Sequence, residues 1–156
     1  MVHGLATTAQ IASLLLISLV AGSMFGIWRG YDITGYSPAA FVEVHQGTVR
    51  GLNTLLPAMA IASLVLVVIL AVLARSRPMA LGLYIVAALC IVIGGAITRF
   101  ANQPINDQVM GWTATALPAD WTALRDNWWS WHLGRLGATL LAELALIAAI
   151  FVDRSP

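Results

Sequence analysis

Apolar residues in this chain run on for long stretches, where a soluble domain would interrupt them every second or third position. Four stretches meet the length a membrane demands: Ile11 to Trp28, Leu52 to Ala74, Met79 to Thr98, and about Leu133 to Val152. The hydrocarbon layer is about 30 Å thick and a helix rises about 1.5 Å per residue, so each stretch predicts one spanning helix. Polar residues mark the ends: Trp28 and Arg29 after the first, Arg75, Arg77 and Pro78 after the second, Arg99 after the third, Asp153 and Arg154 after the fourth. The predicted fold is all-α, an integral membrane four-helix bundle forming a single domain over residues 1–156.

The polar segments refine this picture. Ser37 followed by Pro38 is a helix-start signal, with a hydroxyl cap and a proline at the first helical position. From there to Arg75 only Pro57 interrupts a helical reading, so the second helix carries a polar extension (Ala39 to Gly51) and kinks near Pro57. Between the third and fourth spans lies Arg99 to Ser130. With Trp112, Trp121, Trp128, Trp129 and the nearby Trp131, it reads as a segment resting at the membrane interface, where indoles prefer to sit. Pro118 and the residues after it predict a short amphipathic helix leading into the fourth span.

Composition agrees. Hydrophobic residues make up 60% and charged residues 10%, against about 25% charged in soluble domains. The net charge of +1 gives no basis for nucleic-acid binding. Lys and Arg are missing before Arg29, which argues for a retained helix over a secretory signal. Cys90 is the single cysteine and says nothing of redox compartment. Four spans put both termini and the Arg75–Arg77 turn on one side. Arg29, Arg50, Arg99 and Arg125 then share the other, where they look committed to a site, which points the termini to the cytoplasm of a bacterial-type inner membrane.

Ionisable side chains inside a span cost a few kcal/mol and are functional candidates by default. Trp128, His132, Arg135, Thr139 and Glu143 recur at spacings of three and four, one stripe that must face the bundle interior. Glu43, Gln46, Arg50 and Asn53 form a similar face on the second helix, with His45 beside it. Arg99, Asn102, Asn106 and Asp107 follow the third span. Three segments thus bring polar groups to one end of the bundle. Plainer readings stand beside this one. His132 and Arg135 could snorkel to headgroups, Glu43 and Arg50 could be a surface ion pair, the Trp128 cluster could be an interface belt, and Glu143 a protonated carboxyl bonded to Ser13 or Ser18. His45, His132 and Glu43 are the candidate metal ligands, but no spacing typical of a metal site is present. Cofactors stay open: none, a transition metal such as copper or iron, or haem on one or two histidines.

Asn102-Gln103-Pro104-Ile105-Asn106, then Trp121-x-x-x-Arg125-x-x-Trp128, then His132 and Arg135 make a pattern that resembles the anthrone oxygenase-like family. These are small four-helix membrane proteins long classed as a domain of unknown function. Gly22, Gly26, Pro38, Phe41, His45-Gln46, Asn53 and Pro57 fit it too, so the resemblance covers nearly the whole chain. It implies a monooxygenase-type oxidoreductase that converts an anthrone to an anthraquinone with dioxygen. In that scheme His132 is the base, and Arg135 with Asn106 or Asn102 stabilises the oxyanion. Trp128 and Trp121 flank a flat substrate arriving from lipid, with Asn53 and Arg125 as further contacts, while His45 and Gln46 orient oxygen or hold a metal. Two other classes remain: a haem- or copper-binding membrane subunit, and a small membrane transport or interaction protein. Against transport, the chain has no inverted repeat. Gly22-x-x-x-Gly26 could pack helices within one chain or between copies in a homo-oligomer.

Overall fold

The structure, a computed structural model, describes residues 2–31 and 33–154, with the side chains of residues 4–31 and 33–153. The side chain of Arg154, used above for topology, falls outside the described residues. Six α-helices follow in order: α1 (Val2–Gly30), α2 (Pro38–Leu52), α3 (Leu55–Leu73), α4 (Pro78–Ile97), α5 (Gln103–Val109) and α6 (Trp121–Arg154). They make four rods, since α2 continues into α3 and a π-helical turn, Thr98–Asn102, joins α4 to α5. All four rods are long and apolar enough to cross a membrane.

Each break has a local cause. Ser37 caps α2, its hydroxyl accepting from the Ala40 amide at 3.2 Å, and Pro38 takes the first position. Pro57 has no N–H for the Asn53 carbonyl four residues back, and its ring crowds that carbonyl. The helix accordingly opens at Asn53 and Thr54, one turn before the proline. In the π turn the Gln103 amide reaches the Thr98 carbonyl, one residue further back than in an α-helix. Pro104 next to it lacks the N–H an α-helical turn would use there.

The helices outrun the apolar stretches that predict them. The third rod continues past Arg99 to Val109, and the fourth begins at Trp121 in place of Leu133. The expected interfacial segment of residues 99–130 thus shrinks to a connection over residues 110–120, and no separate amphipathic helix precedes the fourth span. Hydropathy ends a span where polar residues begin, whereas a helix continues while its polar side chains find partners in neighbouring helices.

The rods pack in an up-down-up-down ring, α1 against α3 and α6, and α4 against α3 and α6. Toward the terminal end the core is built on Ala80, Tyr84, Ala87 and Ile91 of α4 and Ala142, Leu146 and Ala149 of α6. Small residues every seventh position let these two backbones approach closely. Leu15, Val68, Val72, Leu89, Leu144 and Phe151 point outward and are exposed, as lipid contact requires. Apolar side chains thus dominate both the surface and the core of this half. The chain is a multi-pass integral membrane protein.

Polar contacts lock the terminal end. Asp153 is buried, and its Oδ2 accepts from Gln10 Nε2 at 3.0 Å and from the Tyr84 hydroxyl at 3.2 Å. Arg77 pairs with its Oδ1 at 2.7 Å and donates to its backbone carbonyl at 2.7 Å. One carboxylate therefore ties α1 and α4 to the last turn of α6. Higher up, Ser63 donates to the Ser13 carbonyl at 3.0 Å, and Glu143 accepts from the Ser18 hydroxyl at 2.5 Å. The last contact is one of the two expected from sequence. Replacing Asp153 by Ala removes the Arg77 ion pair, the acceptor of the Tyr84 hydroxyl and one of the two acceptors of Gln10, and is expected to cost about 2 kcal/mol. The thermal midpoint in detergent should fall for Asp153→Ala and stay unchanged for Asp107→Ala, whose side chain is exposed; equal midpoints would show that the clasp contributes nothing.

Candidate functional site

The other end gathers the expensive polar groups. On α6, Trp128, His132, Arg135 and Thr139 are all buried, as their spacing predicts. Asn102 and Asn106 come in from the π turn and α5, and His45 from α2. The expected inward face of α2 is displaced, however. Glu43 and Arg50 are exposed, and the buried residues are Phe41, Val42 and His45. Here α2 stands beyond the apolar stretch, so its charges have solvent to face and its apolar side meets Trp112 and Trp121.

Asn106 is the hub. The Trp128 indole N–H, which can only donate, lies 2.7 Å from Asn106 Oδ1. His45 Nε2 lies 3.1 Å from the same oxygen and must carry a proton to bond it. Asn106 Nδ2 donates to Asn53 Oδ1 and to Gln103 Oε1, both at 3.3 Å. Both its hydrogens are therefore engaged within the protein. Asn102 donates to the Trp128 carbonyl at 3.0 Å, and its Oδ1 is buried with no partner among the described residues.

His132 is assigned the same way. A guanidinium only donates, so His132 Nδ1, 3.0 Å from Arg135 Nη2 and 3.4 Å from Nε, is an acceptor. Its Nε2 then carries the proton and donates to the Met24 carbonyl at 3.1 Å. The imidazole stacks on Trp128, centroids 5.1 Å apart at 9°, and on Trp129 at 5.5 Å. His45 meets Trp128 edge-on at 4.8 Å. Both imidazoles thus pack on one indole.

Arg135 itself is 8% exposed. The ion pairs among the described residues are Arg77–Asp153 and Arg125–Asp126, so Arg135 faces no carboxylate. Its guanidinium rests over Trp128, 5.6 Å from the ring centroid, and Thr139 donates to its carbonyl at 2.8 Å. It lines a cavity of about 370 Å³ inside the bundle. Ile17, Val20, Leu64 and Ile91 form apolar walls, while Asn53, Gln103, Thr98, Arg99 and Thr139 join Arg135 at the polar head. The opening at Pro57 and the paired Gly94 and Gly95 make room for it. The walls include Ile61 and Val92, both more than half exposed on the outer face, so the cavity opens sideways between α3 and α4. An outer groove between α3 and α4, running toward Arg75, shares Leu64 and Val92 with it.

The remaining candidates sit elsewhere. Gln46 donates to the Val109 and Trp112 carbonyls at 2.9 and 3.0 Å, tying the end of α5 to α2. Trp121 packs on Phe41, and Arg125 lies over Trp121 at 5.3 Å while pairing with Asp126 and reaching the Ile33 carbonyl. Both form a rim over the polar end and do not line the cavity; of the expected site residues only Asn53 and Arg135 do, while Trp128, His132, His45, Asn102 and Asn106 are buried behind its head. Among the described residues, no three His, Cys, Asp or Glu side chains gather as a metal site would need, and Glu43 is exposed while His45 and His132 are buried. Gln103 and Thr98 line the cavity unanticipated. Their neighbours in the Asn102–Asn106 motif were visible, but only the π turn decides which of those side chains turns inward.

A comparison with protein families matches the anthrone oxygenase family over residues 46–145, a stretch that holds Asn53, Asn102, Gln103, Asn106, Trp128, His132 and Arg135. Comparisons with curated proteins and with solved structures find no match. The matched stretch spans well over half of the 156 residues, and this membrane four-helix chain belongs to the anthrone oxygenase family.

Proposed function

We propose that the chain is a membrane oxygenase that draws a flat, apolar, anthrone-like substrate from the lipid and oxidises it with dioxygen. The observation that carries this reading is Arg135, a buried cation with no carboxylate beside it among the described residues, at the polar head of a cavity whose walls are apolar and open toward the bilayer. A positive charge left unneutralised in a dry site favours whatever negative charge develops on a bound molecule. The family match supports the reaction type.

An anthrone and its enol tautomer interconvert, and the enol is a phenol whose anion is electron-rich at the ring carbon opposite. With the enol oxygen at Arg135, the nearest base is His132, whose Nδ1 is 3.0 Å from Arg135 Nη2. His132 is buried behind the cavity wall, with Arg135 on its Nδ1; when the guanidinium swings to the substrate oxygen it frees that lone pair and opens the way for His132 Nδ1 to take the hydroxyl proton. The carbon of the anion then bonds to dioxygen. Loss of water from the resulting peroxide leaves the second carbonyl, so anthrone and dioxygen become anthraquinone and water. Trp128 keeps both His132 and Arg135 in place, and the groove between α3 and α4 is the way in from the lipid. The termini lie on the cytoplasmic side of a bacterial-type inner membrane in this reading.

With protein in nanodiscs and an anthrone supplied, oxygen uptake should match anthraquinone formation one to one; no product from any anthrone tested would sink the proposal. Arg135→Gln should lower kcat/KM by about 10²–10³-fold, as loss of an oxyanion donor does, with exposed Arg50→Gln as the unchanged control. His132→Ala should abolish turnover in folded protein, and unchanged turnover would remove His132 as the base. A Cβ at Gly95 meets nothing within 4 Å, so Gly95→Leu should fold normally, fill the cavity and cut turnover. Full activity in that variant would place the substrate elsewhere.

A further inference from the structure

The direction of every hydrogen bond around Asn106 follows from one group that cannot accept. The Trp128 indole donates to Oδ1, so the atom on the other side of the Asn106 amide is Nδ2, and its hydrogens go to Asn53 Oδ1 and Gln103 Oε1. Both of those amides are thereby held by their oxygens. Their NH₂ groups are left to point elsewhere, and among the described residues neither donates to any protein acceptor. Both residues line the cavity head beside Arg135. The two threonines there, Thr98 and Thr139, give their hydrogens to the Gly94 and Arg135 carbonyls at 2.9 and 2.8 Å. Arg99 adds a second cation. Arginines and amide donors thus face two neutral hydroxyl oxygens, and no carboxylate lines the cavity.

We infer that Asn53 and Gln103 are specificity residues whose side-chain NH₂ groups, with Arg135, select a ligand carrying several oxygen acceptors along one edge, and that Trp128 acts through Asn106 as the positioning residue that sets their direction. An apolar cavity alone takes any flat hydrocarbon from lipid. A row of fixed donors takes one whose oxygens satisfy them, because a donor left facing hydrocarbon is penalised. Rotating either amide would put its oxygen toward the ligand's oxygens and its NH₂ against Asn106 Nδ2. Trp128, by holding Oδ1, forbids that arrangement. The inference rests on the cavity being the substrate site, but not on any turnover.

The test is equilibrium binding to protein in nanodiscs, corrected for partition into protein-free discs, with two probes of one shape. One is 1,8-dihydroxyanthraquinone, with three oxygens along one edge; the other is anthracene, with none. The native chain should prefer the oxygenated probe. Asn53→Leu and Gln103→Met should each shrink that preference about tenfold, roughly the worth of one good hydrogen bond, with anthracene binding unchanged. Trp128→Phe, which keeps a ring against His132 but lacks the N–H, should shrink it as well. Gln103→Glu, of the same shape but without donors, should shrink it further than Gln103→Met. Anthracene binding reports that each variant still folds around its cavity. A preference unmoved in all of these variants, or a parallel loss of both probes, would overturn the inference. Selective binding without oxygen consumption would overturn the oxygenase reading and leave this one standing.

Discussion

A guanidinium held among membrane helices with no carboxylate beside it is the constraint around which the upper half of this protein is arranged. Burying such a charge costs several kcal/mol unless dipoles and rings take over the role of water. Here the Trp128 face and the lone pair of His132 do so, and neither neutralises it. Each of those groups then needs support. His132 is anchored on the Met24 carbonyl and Trp128 on Asn106, while Asn106 in turn holds Asn53 and Gln103. Elements from all four rods therefore converge on Arg135 because each partner brings a further polar group that also has to be satisfied.

Two interruptions of regular helix make that convergence geometrically feasible. Pro57 opens the second rod at Asn53, and the π turn re-aims the third at Asn102, Gln103 and Asn106. A continuous α-helix in either place would carry those amides around to another face. The same interruptions leave the space that becomes the cavity. Irregular backbone at membrane depth is tolerated only where it is buried in protein or lines a cavity, and both conditions hold here.

The two ends of the bundle show how one kind of interaction serves different ends. At the terminal end a buried carboxylate, Asp153, meets a cation and two neutral donors. That closed set holds helices together. At the opposite end, among the described residues, the cation has no carboxylate, the donors of Asn53 and Gln103 have no acceptor, and Asn102 Oδ1 has no donor. Incomplete sets of this kind are costly for stability, and a ligand that completes them gains the difference.

Much of this was legible in the chain itself. Apolar runs long enough to cross a bilayer leave little choice but helices, since backbone polar groups in lipid must be satisfied within the segment. The Ser37–Pro38 start, the break near Pro57, the inward stripe from Trp128 to Thr139 and the Glu143–Ser18 contact all follow from local chemistry or helical periodicity. What tertiary structure alone decided were matters of partner and direction. It turned His45 inward and left Glu43 and Arg50 outside, continued the third and fourth rods past their apolar ends, and made a clasp of Gln10, Arg77, Tyr84 and Asp153. It also brought Gln103 to the cavity. The reason is physical: periodicity says which residues share a face, and hydropathy says which faces lipid accepts. Whether a polar side chain is spent on a neighbour or left for a ligand depends on atoms far away in sequence, and only packing brings those together.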